Sequence, residues 1–79
     1  MRIPRDLAGK ELTKALAKLG YEVTRQSGSH IRLTTSRNGT HHVTIPDHRP
    51  IKVGTLASIL GDIATHHQMT RDELLSQLF

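Results

Sequence analysis

The 79-residue sequence predicts an α+β fold: a helix, a three-stranded antiparallel sheet, a second helix and a short last helix. Three observations carry this reading. Residues 10–19 and 55–63 repeat apolar side chains at helical spacing. Residues 21–46 alternate apolar and polar side chains, as half-buried strands do. Chain-reversal residues separate these segments at Gly20, Ser27-Gly28-Ser29 and Asn38-Gly39.

The first helix is expected over Lys10 to Leu19. Leu12, Ala15, Leu16 and Leu19 form its apolar stripe, Lys10, Lys14 and Lys18 lie on other faces, and Gly20 stops it. Tyr21 to Gln26 reads as a strand with Tyr21 and Val23 inward and Glu22, Thr24 and Gln26 outward. After the turn at Gly28, His30 to Thr35 alternates with Ile31 and Leu33 inward and His30, Arg32 and Thr34 outward. Asn38-Gly39 is a strong hairpin signal. His41 to Pro46 follows, with Val43 and Ile45 inward and His42 and Thr44 outward. Pro46 ends that strand, and Asp47 to Pro50 is loop.

Gly54-Thr55 opens the second helix, with Thr55 as its expected N-cap. Leu56, Ile59, Leu60 and Ile63 make its stripe. Thr70 and Glu73 fit a capping box before a short helix carrying Leu74, Leu75 and Leu78. One apolar face per strand requires the helices to cover one side of the sheet and leaves the other open. That is the architecture of a double-stranded-RNA-binding domain. No repeat or linker breaks residues 1–79, which are expected to form one domain.

Composition narrows the function. A domain this small has little room for a deep pocket or a large cofactor, which disfavours most metabolic enzymes. There are no cysteines, hence no disulfide framework and no thiolate metal site, which fits a reducing compartment. The first residues, MRIPRDLAGKEL, lack the apolar core of a signal peptide, and no apolar run reaches membrane-span length. A cytoplasmic protein is therefore expected. The net charge is +4. Ten of the eleven Lys/Arg residues fall within residues 1–52, against only Asp6, Glu11, Glu22 and Asp47. Basic charge gathered on one part of the chain suits a phosphate backbone, although an ordinary solvated surface would look the same. Tyr21 and Phe79 are the only aromatic residues apart from the histidines, so base stacking on aromatic platforms is not the expected mode.

Three segments together resemble the HicA family of bacterial toxins. They are Gly28-Ser29-His30, Ile45-Pro46 followed by His48, and Gly54-Thr55-Leu56 running on through Ile59-Leu60. The resemblance spans about residues 8–64. A departure is Ala8-Gly9, where a polar cap residue would be expected to open the first helix. The resemblance implies the toxin of a type II toxin–antitoxin pair that binds RNA, cleaves mRNA without a metal or other cofactor, and is neutralised by a HicB-type antitoxin. It makes the histidine of the triplet, His30, the essential residue.

The residues are compatible with that chemistry. RNA carries a 2′-hydroxyl beside its scissile phosphate, so proton transfer and charge stabilisation suffice, and histidine as a residue type titrates near neutral pH. If the hairpin centres near Asn38, His30 lies opposite Pro46 and His48 follows two residues later. His42 falls opposite Thr34 instead, about 13 Å along the sheet at strand spacing. His48 is therefore the better second acid, although it also reads as a loop residue that packs locally. Lys52, Gly54 and Thr55 approach a helix N-terminus, which favours phosphate. With Lys10, Lys14, Gly28, Ser29 and Arg32 they are the expected RNA contacts, and Lys18, Arg25 and Arg37 are further candidates for the backbone. His41-His42 and His66-His67 are not expected to chelate a metal, because neighbours in a strand or helix do not face one another. His66 and His67 are expected to complement the negative end of the second helix. The toxin alone is expected to be a monomer. Two other readings stay open: a non-catalytic RNA-binding module, and an interaction protein whose sheet face docks a partner.

Overall fold

The computed structural model describes residues 3–79; Met1 and Arg2, part of the basic first segment, lie outside the described residues. The order is α1 (Gly9–Leu16), β1 (Glu22–Ser27), β2 (His30–Thr35), β3 (His41–Pro46), α2 (Val53–His66) and α3 (Arg71–Leu78). The three strands form one antiparallel sheet in chain order. The α+β expectation, with helices on one face, matches this architecture.

Burial explains why. Ile31, Leu33, Val43 and Ile45 point to one side of the sheet and are buried against Leu12, Leu16, Leu56, Leu60 and Ile63. Leu74, Leu75 and Leu78 of α3 complete the same cluster and are at most 1% exposed. His30, Arg32, His42 and Thr44 face the other way and are exposed. Alternation of period two thus divides β2 and β3 into a buried and an open face, as their sequence predicts.

The hairpin turns follow their glycines. Ser27 pairs with His30 across a two-residue turn, and Gly28 supplies the positive φ of +58° that its first position requires. Asn38 and Gly39 both adopt positive φ between β2 and β3. Helix α1 begins one residue before the expected start. Its α-helical hydrogen bonding stops at Leu16, and Ala17–Leu19 tighten into a 3-10 turn that Gly20 ends at φ +82°.

Three expectations fail for physical reasons. Val23 is 52% exposed although it was placed inward. It pairs with buried Leu33, but β1 is an edge strand, and its whole length lies exposed. A bulge between Val23 and Arg25 then shifts the register, so Arg25 pairs with Arg32 on the open face and Gln26 with Ile31 on the helix side. The parity assumed for Gln26 is therefore inverted. Thr55 is not the N-cap of α2. The helix starts at Val53, so Lys52 takes the cap position and Thr55 is the third helical residue. At α3 the capping box forms as expected: Glu73 N–H donates to Thr70 Oγ1 at 3.1 Å, and Thr70 N–H donates to Glu73 Oε1 at 2.9 Å. Those bonds hold the Glu73 carboxyl below the usual carboxylate range.

His66 and His67 do more than face a helix dipole. With His41 they enclose the hydroxyl of buried Tyr21 at the end of the sheet remote from His30. Asn38 donates from its amide to Nδ1 of His67 at 3.3 Å. Nε2 of His67 is then the protonated nitrogen and donates to the Tyr21 hydroxyl at 3.0 Å. That hydroxyl donates to Nδ1 of His41 at 2.7 Å, and Nε2–H of His41 faces Asp62 at 3.3 Å. His66 stacks on His41 with ring centres 4.3 Å apart, and its Nε2 donates to the carbonyls of Arg37 and Gly39. Among the described residues no buried side-chain polar atom lacks a hydrogen-bond partner, which is the condition for burying polar groups at low cost. Burial, reinforced by Asp62, pushes the Tyr21 phenol up to about 12. Among the described residues no group of three or more His, Asp or Glu side chains is placed to hold a metal ion.

Burial also holds the His67 imidazole below the usual histidine range, and His66, His41 and Arg37 push it the same way. The unfolded chain then binds this proton more readily than the folded one. The stability contributed by neutral His67 is full above about pH 6.5, the ordinary histidine value, and is lost as pH falls below it. Urea unfolding across that range is expected to show a loss of stability on acidification that is smaller in His67→Gln. An equal loss in both proteins would exclude His67 as its source.

Candidate active site

The site lies at the end of the sheet where β2 begins and β3 stops. His30 pairs with Pro46, as hairpin arithmetic predicts, and Thr34 pairs with His42. One more contact extends the ladder beyond Pro46: Asp47 N–H donates to the carbonyl of Ser29 at 2.7 Å. The turn before His30 and the loop that carries His48 are thereby tied together.

Helix α1 fixes that loop from beneath. Gly9 N–H donates to the His48 carbonyl at 3.0 Å, and Ile51 N–H donates to the Leu7 carbonyl at 2.9 Å. A Cβ at position 9 would overlap the Pro46 carbonyl oxygen, so only glycine allows this approach. Ala8 cannot cap by its side chain, but Glu11 Oε1 accepts from Ala8 N–H at 2.8 Å. The same carboxylate oxygen accepts from Arg49 at 3.1 Å, which fastens the loop to α1 a second time.

His30, Thr44, Pro46, His48, Lys52 and Thr55 line a cleft of about 380 Å³. Four of these, His30, His48, Lys52 and Thr55, are site residues expected from the sequence. The fold brings them together from β2, the loop and the first turn of α2. Thr44, opposite Arg32 on the open face, is a lining residue that sequence reasoning placed outward but did not assign. No side-chain hydrogen bond caps α2, so the N–H groups of its first turn, Gly54 among them, have no side-chain partner there.

The other expected contacts lie around this cleft and do not line it. Gly28 and Ser29 form the turn leading into His30, and Arg32 is the next outward residue on β2. Lys10 and Lys14 are exposed on α1, and Lys14 borders a separate groove with Leu7, Glu11 and Phe79. Two further cations do structural work. Lys18 Nζ donates to the Leu78 carbonyl at the end of α3 at 2.9 Å, and Arg37 donates to the Lys18 carbonyl at 3.1 Å. His42 is exposed, its Nδ1 within 2.8 Å of Thr34 Oγ1.

A cleft with two exposed imidazoles, an ammonium that has no acid partner among the described residues and a helix N-terminus can move protons and neutralise an anion. Its walls offer no thiolate, and neither histidine ring has a hydrogen-bond partner among the described residues. Gly9 and Arg49 escape sequence reasoning, and Thr44 is read as outward without a role. Gly9 leaves a signal in Ala8-Gly9, where a polar cap residue is expected.

Residues 9–65 match the family model described as HicA toxin of bacterial toxin-antitoxin. No curated protein and no solved structure matches the chain. The matched segment begins at Gly9, ends in the last turn of α2 and contains every residue that lines the cleft.

Gly9→Ala is expected to force α1 away from the loop. Such overpacking costs about 1–3 kcal/mol, measurable by urea unfolding, and the NMR signals of His48 should shift with it. Unchanged stability and unchanged His48 signals would show that the approach at Gly9 does not hold the loop.

Proposed function

Because the chain belongs to the HicA toxin family of bacterial toxin–antitoxin systems, we propose that it is a metal-independent endoribonuclease that cleaves mRNA in the His30 cleft. The observation that carries this reading is the meeting of His30, His48 and Lys52 around one opening on the open end of the sheet. A module that only binds RNA needs cations there but has no use for two histidines.

In this mechanism His30 acts as general base. It takes the proton from a ribose 2′-hydroxyl, whose oxygen attacks the adjacent phosphorus. The new 2′-O–P bond forms as the bond from phosphorus to the 5′-oxygen of the next nucleotide breaks. His48 acts as general acid and protonates that leaving oxygen. The products are a 2′,3′-cyclic phosphate and a 5′-hydroxyl. Lys52 and the N–H groups at the start of α2, including Gly54 and Thr55, face the negative charge that builds on phosphorus. Gly28 and Ser29 let the strand approach the start of β2, and Arg32, Lys10 and Lys14 attract its backbone. No cofactor enters this scheme.

Membership in the family makes an antitoxin the protein partner of this chain. In the proposed reading it is of the HicB type and covers His30. The sheet's open face and the cleft beside it are the surfaces at which such a cover would compete with RNA.

Purified protein, with chelator present, is expected to cut an mRNA and leave 2′,3′-cyclic phosphate ends. Folded His30→Ala should lose about 10²–10⁴-fold in rate while still binding RNA. His48→Ala should also slow cleavage and should lose less on a substrate with an activated leaving group. Equal cutting by wild type and His30→Ala would remove His30 as the base. Binding without cutting in all three proteins would favour the non-catalytic module.

A further inference from the structure

A second, larger cleft adjoins the first. It measures about 780 Å³, and Lys52 lines both. Three cations converge on it from distant parts of the chain: Arg5 before α1, Lys52 before α2 and Arg71 at the start of α3. All three are exposed, and none pairs with an acid among the described residues. The acid on this lining is Asp6, and its carboxylate lies 3.8 Å from Arg49. Like charges gathered in one concavity repel each other unless an anion enters. The walls between them are apolar, with Ile3 on one side and Val53, 58% exposed, on the other.

We propose that this cleft is a subsite for single-stranded RNA, in which Arg5 and Arg71 hold the phosphates of the strand as it leaves the His30 cleft past Lys52. The proposal rests on the ribonuclease reading of that first cleft. The continuity through Lys52 favours a strand over a separate ligand, because one ammonium can serve the phosphate passing between the two openings. Guanidinium groups can also lie against base faces, and exposed Val53 offers an apolar surface to a ribose or base edge. Neither Arg5 nor Arg71 falls within residues 9–65, so the family match assigns them no role. Arg71 is also the only Lys or Arg after Lys52, and the fold places it in this cleft.

The test uses the full chain carrying His30→Ala, so that RNA survives the measurement. Dissociation constants are taken for a trinucleotide and for a twelve-nucleotide single strand across a salt series. Adding Arg5→Gln and Arg71→Gln is expected to weaken the long strand more than the trinucleotide. The slope of log K against log salt for the long strand should shrink by about 1.4, or about 0.7 for each of two phosphates. Arg5→Lys with Arg71→Lys should keep that slope, since a phosphate contact needs the charge. Circular dichroism checks that each variant is folded. An unchanged slope and an unchanged preference for long RNA would overturn the proposal, as would a loss confined to antitoxin binding. Cleavage by protein with native His30 is assayed in parallel. Failure to cut alongside a reduced slope would sink the ribonuclease reading and leave the subsite standing, whereas normal cutting with an unchanged slope would do the reverse.

Discussion

The backbone of Gly9 meets the peptide between Pro46 and Asp47 with no space for a side chain. That approach positions α1, the end of β3 and the loop that carries His48. Gly9 N–H binds the carbonyl of His48 itself, while Asp47 N–H reaches back to Ser29, one residue before His30. The two imidazoles are therefore positioned through backbone bonds on either side of one short segment. Arg49 and Glu11 reinforce the junction, but an exposed ion pair of this kind contributes little by itself. Close packing and backbone pairing set the geometry, and the side chains of the cleft are free to meet a ligand.

The six histidines fall into groups with opposite chemistry. His41, His66 and His67 gather at the Tyr21 hydroxyl; both ring nitrogens of His41 and His67 and Nε2 of His66 are engaged with neighbouring groups of the fold. His30 and His48 stand exposed at the far end of β2 and β3. His42 lies between, exposed and oriented by Thr34. The same residue type is thus a structural hydrogen-bonding group at one end of the sheet and an exposed side chain without a hydrogen-bond partner among the described residues at the other. What separates them is the face of the strand and the helix end that packs there.

Much of this was legible in the sequence. Alternation along β2 and β3 predicts their buried and open faces, and counting from the Asn38 turn predicts that His30 lies opposite Pro46 and His42 opposite Thr34. Four of the six cleft residues follow from that register and from the start of α2. Other features depend on contacts between segments remote in the chain. The bulge at Thr24 leaves no mark in a strand that reads as regular alternation, so Gln26 was assigned the wrong face. Thr55 looks like a cap residue, yet the helix reaches back to Val53, with buried Ile51 and Leu56 on either side of that first turn. The histidine network joins residues from 21 to 67, a distance that neighbour-by-neighbour reading does not span. Gly9 was visible as an oddity, but its partner at Pro46 was not.

All six residues that line the His30 cleft fall between positions 30 and 55, whereas Leu74, Leu75 and Leu78, which seal the core, belong to the last helix. A chain halted before residue 71 would carry every group of the cleft and still lack three fully buried leucines. Truncating a single such side chain commonly costs about 2–5 kcal/mol, a large part of what holds a small domain together. Each ribosome making this protein passes through that state. The residues of the cleft are therefore synthesised before the leucines that complete the core, and the sheet that carries the cleft is fully supported only once α3 has docked.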